Sequence, residues 1–523
     1  MTRIRSAITD DNRRWWTLGA MCFALFMIML DNTVVNVALP SIQRSLHSSI
    51  GGLEWTVNAY TLSFAVLLVT GGRLGDIFGR RRMFLFGVLV FGASSAFIAL
   101  SQSEAWLVTG RAIQGIGAAF MMPATLSIIS NAFPPHERGK AIGTWAGVSA
   151  LALAIGPVVG GFLTENVSWQ SIFLLNVPVA AIAVFVTLAA TRESRDESST
   201  HHVDLPGVAT LSLGLGALVL ALVEGNAWGW GSPRIVTLFA LAAGALVGFV
   251  VAERRAMEPM VDFSFFRSKS FFGANLVAFL VTFAMLSVFF FLALYMQNIK
   301  GYSPLEAGVR FLPSTVVIIF AGPIAGRLSD RIGPRPLMVA GLLIVAGSLF
   351  WQGHLTVDTS YGFLVGAFVL LGLGMGLVMS PMSTAGMNAV EPSKAGVASG
   401  ILSMSRMVGG TFGVAVMGAL ITGLGKSKLD QLLPAVPDGR RHDLAESLGA
   451  GGAHVGGQVG DAVQQAFVYA LNTGLRIGAA VTVLGALLAW LLIADRAEAP
   501  AEAGAETAGP APAEAPPELV EAA

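Results

Sequence analysis

Charge is scarce in this sequence. Of its 523 residues, 12% are Asp, Glu, Lys or Arg, against about 25% in an average soluble protein. A water-facing surface of that size would be badly undersupplied. The 32 cationic and 32 anionic residues cancel, which removes the electrostatic case for nucleic acid as a partner. Cysteine is almost absent: Cys22 stands alone in an apolar run and can form no internal disulfide. None of the seven histidines lies deep in an apolar run, and no His/Cys cluster forms, so no metal is expected. The chain also lacks a G-x-x-x-x-G-K-[ST] loop, so no ATP is expected either. No cofactor and no enzymatic reaction are expected.

What is abundant is apolar surface, at 54% of residues. Fourteen runs approach the roughly 20 apolar residues that cross a bilayer as a helix. No small-residue cleavage site follows the first run, from Thr17, so it reads as a span rather than a leader. An even number of spans puts both termini on one side. Lys and Arg choose that side: seven lie in the odd-to-even loops and twenty-one on the opposite face, so both termini should be cytoplasmic. The expected organisation is a cytoplasmic N-terminus (1–15), a first six-helix bundle (16–191) and a charged linker (192–204). Two further spans (205–252) and a cytoplasmic loop (253–269) follow. A second six-helix bundle (270–494) with an external stretch at 425–464 and a disordered tail (495–523) complete the chain. The 425–464 stretch has room for short helices.

The sequence repeats itself. Gly72-Arg73-Leu74-Gly75-Asp76-Ile77-Phe78-Gly79-Arg80 returns 254 residues later as Gly326-Arg327-Leu328-Ser329-Asp330-Arg331-Ile332-Gly333-Pro334-Arg335. Gly115 and Gly117 return 257 residues later as Gly372 and Gly374, as Gly139 and Gly143 do at Gly396 and Gly400. Repeated halves are a mark of secondary transporters, whose substrate site lies between them. The halves are helices 1–6 and 9–14, with helices 7 and 8 inserted between.

Motifs strengthen this reading. Helix 1 ends Leu30-Asp31-Asn32-Thr33-Val34-Val35-Asn36-Val37-Ala38-Leu39-Pro40; helix 4 carries Arg111-Ala112-Ile113-Gln114-Gly115-Ile116-Gly117; helix 5 carries Gly147, Gly156, Pro157, Gly160 and Gly161. Together with the Gly72–Arg82 loop, these residues resemble the major facilitator superfamily in its fourteen-helix drug:proton antiporter branch. The resemblance covers nearly every helix. It implies an all-α polytopic membrane protein with the major facilitator fold, two six-helix bundles plus two inserted helices. It implies a monomer in a bacterial plasma membrane that exports drugs or other amphiphilic small molecules in exchange for protons by alternating access. A uniporter or proton symporter for a polar metabolite is the alternative and would need a more polar cavity.

Charges inside the spans carry most of the remaining information, because each costs at least ~2.5–3.5 kcal/mol on insertion scales. Asp31 lies six residues below the outer end of helix 1, and Arg111 six residues into helix 4 from the same side. At ~1.5 Å per residue both sit ~9 Å deep, so they are expected to meet at a central cavity. Asp31 is then a proton-exchanging carboxylate with Arg111 as its modulator, or the two are a static ion pair. Glu54, at the outer start of helix 2, is either an interfacial acid or a proton-access group. Glu306 and Arg310 have the spacing of a local ion pair, and Arg406, ten residues into helix 13, is expected to have a structural partner in the core, with substrate contact as the alternative. Gly72, Asp76 and Arg80, with Gly326 and Asp330 in the second copy, form an expected conformational latch, whereas Arg81 and Arg82 fit plain positive-inside topology. The helix 5 glycines serve ordinary close packing or a pliable seam between the halves. The helix faces implied by the resemblance put Asn36, Asn58, Tyr60, Gln114, Met121, Met122, Phe289, Met375 and Met379 in the substrate cavity.

Overall fold

The computed structural model describes residues 8–10, 12–47, 50–196, 204–256, 259, 261–449 and 457–494. The expected tail, 495–523, lies outside them. Fourteen long helices organise the described residues. The first half holds α1 (Arg13–Leu46), α2 (Ile50–Phe78), α3 (Arg80–Ala99), α4 (Glu104–Ala132), α5 (Pro135–Asn166) and α6 (Asn176–Ala190). Next come α7 (Leu205–Trp228) and α8 (Pro233–Arg255). The second half holds α9 (Lys269–Leu294), α10 (Leu312–Ile332), α11 (Pro334–Gln352), α12 (Tyr361–Asn388), α13 (Ala395–Leu432) and α14 (Gly457–Leu492). Among the described residues, thirteen of these are long and apolar enough to cross a membrane. The fourteenth is α5, which packs along α1 and α10 as a full member of the bundle.

Local sequence sets the helix starts. Asp204, Ser232 and Ser268 each accept a hydrogen bond from a backbone N–H in the first turn, at α7, α8 and α9 respectively, which satisfies donors that a helix N-terminus leaves free. Span ten is broken. A short helix, Pro304–Arg310, opens with a Ser303/Glu306 capping box and gives way at Phe311 to α10. Pro313 has no N–H to continue the first helix but fits the first turn of the second.

The two halves repeat each other's packing. In the first, α1 packs on α5 and α6, α2 on α4, and α3 on α4 and α6. In the second, α9 packs on α13 and α14, α10 on α12, and α11 on α12 and α14. Across the halves, α2 meets α13 and α5 meets α10, an exchange that the same two-fold relation demands. Gly79 and Gly333 mark the repeat in the backbone: both link a helix to the next with positive φ, 110° and 86°, where a side chain would be strained. Helices α7 and α8 pair with each other, and α7 also touches α2 and α13. Several ends differ from the apolar runs. The first span runs on to Leu46, α13 to Leu432, and a further helix occupies Asp438–Gly449. The expected external stretch, 425–464, is therefore mostly helical where it is described.

Candidate functional site

Three features stand out: a polar cluster inside the first half, an apolar cavity between the halves, and a pair of clamps that join the halves at one end.

The polar cluster is built on Asp31. Its Oδ2 accepts from Arg111 Nη1 at 2.5 Å, and its Oδ1 from Gln114 Nε2 at 3.0 Å and Asn176 Nδ2 at 3.2 Å. Arg111 also donates from Nε to Thr56 O at 3.0 Å and from Nη1 to Gln114 Oε1 at 2.5 Å. The Tyr60 ring lies 4.2 Å from the guanidinium carbon, within cation–π range. Ser95 Oγ accepts from Gln114 and Asn176. Asp31 is 3% exposed and Arg111 1%. The expected meeting of these two charges at one depth is what the geometry shows. Their expected exposure to the cavity is not: five helices close around the pair, and neither residue lines the open space. Desolvation explains this, since a buried charge needs every partner it can find. Asn176, at the start of α6, belongs to this cluster and is not among the residues the sequence singles out.

The cavity has a volume of about 300 Å³ and takes its walls from both halves. Thr33, Met122, Trp145 and Ser149 face it from the first half; Met285, Phe289, Phe311, Met375, Met379 and Arg406 from the second. The broken span ten supplies Gly308, Phe311, Thr315 and Ile318. No residue of α7 or α8 lines it. Of the nine cavity candidates, Met122, Phe289, Met375 and Met379 are present. The other five point elsewhere. Asn36 is exposed and donates to Asn32 O at 3.0 Å. Asn58 donates to Glu224 Oε1 on α7 at 3.4 Å. Tyr60 and Gln114 are in the Asp31 cluster, and Met121 is buried beside Gly87 of α3. A helix face toward a neighbouring helix and a face toward a cavity have the same hydropathy, which is why the sequence could not separate them.

The clamps lie where the repeated loops meet the opposite half. Asp76 Oδ1 accepts from Gly396 N at 2.9 Å and Oδ2 from Val397 N at 2.8 Å, at the positive end of the α13 dipole. Arg80 donates to Asp76 Oδ1 from Nε at 2.8 Å and from Nη2 at 2.5 Å. The same Nη2 reaches across to Pro392 O at 2.8 Å and Ser393 O at 2.6 Å. A Cβ on Gly72 would collide with Gly396 O, so only glycine permits this approach. In the second copy, Asp330 accepts from Gly139 N at 3.1 Å and Lys140 N at 3.3 Å, and Gly326 packs against Gly139 O. The start of the linker joins the first clamp: Asp196 N donates to Asp76 O at 2.8 Å, and Arg80 N to Ser194 O at 2.9 Å.

The helix 5 glycines divide. Gly147 faces Ile319 across the halves, while Gly156 and Gly160 press α5 onto Thr33 and Val34 of α1, within one half. Gly161 has open space around it, and α5 runs unbroken from Pro135 to Asn166. Closer approaches across the halves on the same helix are those of Gly139 and Gly143, against Gly326 and Gly322. Glu54 lies on α2 and Pro157 on α5, but their side chains fall outside those described. Arg310 Nη1 donates to the Glu306 backbone O at 3.2 Å, not to its carboxylate. That carboxylate caps Ser303 N at 2.9 Å, while Arg310 stacks on Tyr302 at 3.6 Å.

Two repeated six-helix halves around a shared cavity define a secondary transporter fold. The structure resembles the proton:xylose symporter XylE (TM-score 0.63, 15% identity, covering 93% of this chain and 97% of that one). Residues 21–414 match the Major Facilitator Superfamily, and the chain belongs to that family. It is 34% identical to the tetracenomycin C resistance and export protein of Streptomyces glaucescens, over 91% of both chains. It is 38% identical to the multidrug resistance protein Stp of Mycobacterium tuberculosis, over 85% of this chain and 83% of that protein. The resemblance to the drug:proton antiporter branch holds at the level of these relatives, and the chain is a multi-pass membrane protein.

Proposed function

We propose that this protein exports amphiphilic small molecules in exchange for protons, by alternating access of the cavity between the two halves. The observation that carries this reading is a buried, titratable carboxylate, Asp31, two residues from Thr33 in the wall of an apolar cavity. Methionines and aromatics on that wall adapt to ligands of varied shape. The names of the relatives, resistance and export proteins, support drug efflux. Protonation of Asp31 would remove the charge that Arg111, Gln114 and Asn176 converge on. The cluster ties α1 to α4 and α6, so its loosening would reach the cavity wall at Thr33. The Asp76 and Asp330 clamps hold one end of the halves together, and their opening would admit substrate from that side. We place that side, with both termini, in the cytoplasm of a bacterial cell, on the Lys/Arg bias of the loops. Neither ATP nor a metal enters the cycle, and one chain suffices.

Asp31→Asn tests the coupling. Asn keeps the shape but cannot exchange a proton. In proteoliposomes, uphill efflux driven by a pH gradient should be lost, while substrate exchange at equal concentrations continues. Persisting exchange shows that the variant is folded, a necessary control because an unpaired buried Arg111 costs about 3–5 kcal/mol. Normal uphill transport in the Asn variant would leave Asp31 and Arg111 as a static ion pair.

A further inference from the structure

We infer that the cavity selects amphiphiles bearing an acidic group, and that Arg406 is the residue that recognises it. This deepens the export reading by naming a substrate class for the same cavity.

The case begins with the composition of the wall. Among the lining residues of the cavity, Arg406 alone carries a charge. The rest of the described wall is methionine, aromatic, aliphatic or small polar. Two other buried arginines are paired with carboxylates, Arg111 with Asp31 and Arg80 with Asp76. Arg406 has no carboxylate among the described residues. Its Nη2 donates to Ser383 Oγ, its guanidinium carbon lies 5.8 Å from the Trp145 ring, and its Nε is buried without a hydrogen-bond partner. A neutral hydroxyl and a distant ring leave most of the five guanidinium donors unmet.

An arginine in this state is expensive within a membrane. A merely structural arginine would be expected to find an acid or several carbonyls, as Arg111 and Arg80 do. Here the arginine lines a space that spans both halves. The ligand that satisfies it is a planar or forked anion, a carboxylate or sulfonate, which a guanidinium binds in bidentate fashion. Trp145, Phe289 and Phe311 would enclose the apolar body. The position also gives direction to recognition. The α13 helix that bears Arg406 begins at the Asp76 clamp, so an anion that draws Arg406 toward the cavity acts on the helix that the clamp holds.

The test compares two fluorescent probes with the same ring body: anilinonaphthalene sulfonate, an anion, and phenylnaphthylamine, which is neutral. Binding is measured at equilibrium on the full chain in lipid nanodiscs, with no proton gradient. Its outcome is thus independent of whether transport is proton-driven. The anion should bind the native chain more tightly than the neutral probe. Arg406→Gln should weaken the anion about tenfold or more and leave the neutral probe within about twofold. Arg406→Lys should retain part of the anion preference, because it keeps the charge and loses only the fork. Equal loss of both probes in Arg406→Gln, with Arg406→Lys behaving the same way, would make Arg406 a packing residue and overturn the assignment. Unchanged anion binding in Arg406→Gln would overturn it as well. If anion selectivity holds but Asp31→Asn proteoliposomes still pump uphill, the cavity assignment stands and the proton-coupling reading fails.

Discussion

Removing the Asp76 carboxylate should unlock the clamped end of the molecule, by an amount that the geometry allows one to work out. Asp76 is fully buried and accepts two backbone hydrogen bonds from the other half, from Gly396 and Val397. Hydrogen bonds to charged groups contribute about 1.5–3 kcal/mol each, and in the separated state water replaces them. Taking the lower figure for both, Asp76→Ala weakens the closed end by about 3 kcal/mol, or roughly a hundredfold in the closed-to-open ratio. Arg80 softens the loss, because it keeps Pro392 O and Ser393 O. Asp330 provides the internal comparison. Its two bonds, at 3.1 and 3.3 Å, are longer, and no guanidinium touches it among the described residues. Asp330→Ala should therefore open the end less than Asp76→Ala. The assay is maleimide labelling of Val397→Cys, which is 2% exposed in the closed form, in a Cys22→Ser background. Labelling should accelerate by about two orders of magnitude in Asp76→Ala, and by less in Asp330→Ala. Identical rates in all three, or a larger effect at Asp330, would refute the claim that these hydrogen bonds hold the halves together.

Two further outcomes are expected from the same geometry. Gly156→Ala should destabilise the protein by about 1–3 kcal/mol, because its Cβ would collide with Thr33 Oγ1; Gly161→Ala, with open space around it, should be neutral or slightly stabilising, and thermal melts that rank the two the other way would contradict the packing assigned to α5. The Asp262–Lys394 pair, 2.8 Å long between the loop before α9 and the loop before α13, tests a pH effect. Burial alone would raise the Asp262 carboxyl, but hydrogen bonds from Lys394 and Ser264 more than offset it and hold it below the usual carboxylate range. A lowered folded value contributes stability above about pH 3.9, the unfolded value, and that contribution fades as pH falls through the folded value. Both side chains are a third exposed, so the effect stays within ~1 kcal/mol. Asp262→Asn should remove the acid-side loss in melting temperature while matching the native chain's trend above neutral pH, and an unchanged acid slope would show that other groups set it.

The helices, the repeat and the Asp31–Arg111 meeting were legible because each rests on one-dimensional information. Run length gives a span, an offset of 254 residues gives a repeat, and a count of six residues from a common surface gives a depth. The cavity was less legible because azimuth does not follow from hydropathy in a helix that is apolar all round. Tyr60 and Gln114 were expected in the open space and lie instead around Arg111, where a cation needs a ring face and an amide. The ends of α1 and α13 were misjudged for a related reason. Hydropathy marks where a helix leaves the apolar layer, and hydrogen bonding carries it further. Arg406 has the expected partner in the core, Ser383 Oγ, but no acid. Depth arithmetic located a partner for Arg111, and the same arithmetic finds no acid facing Arg406: it lies ~15 Å into its span, where no other apolar run carries Asp or Glu. An intramembrane cation with no acid at its depth leaves room for an anionic group on the substrate, and the paired anionic and neutral probes decide whether the cavity uses it.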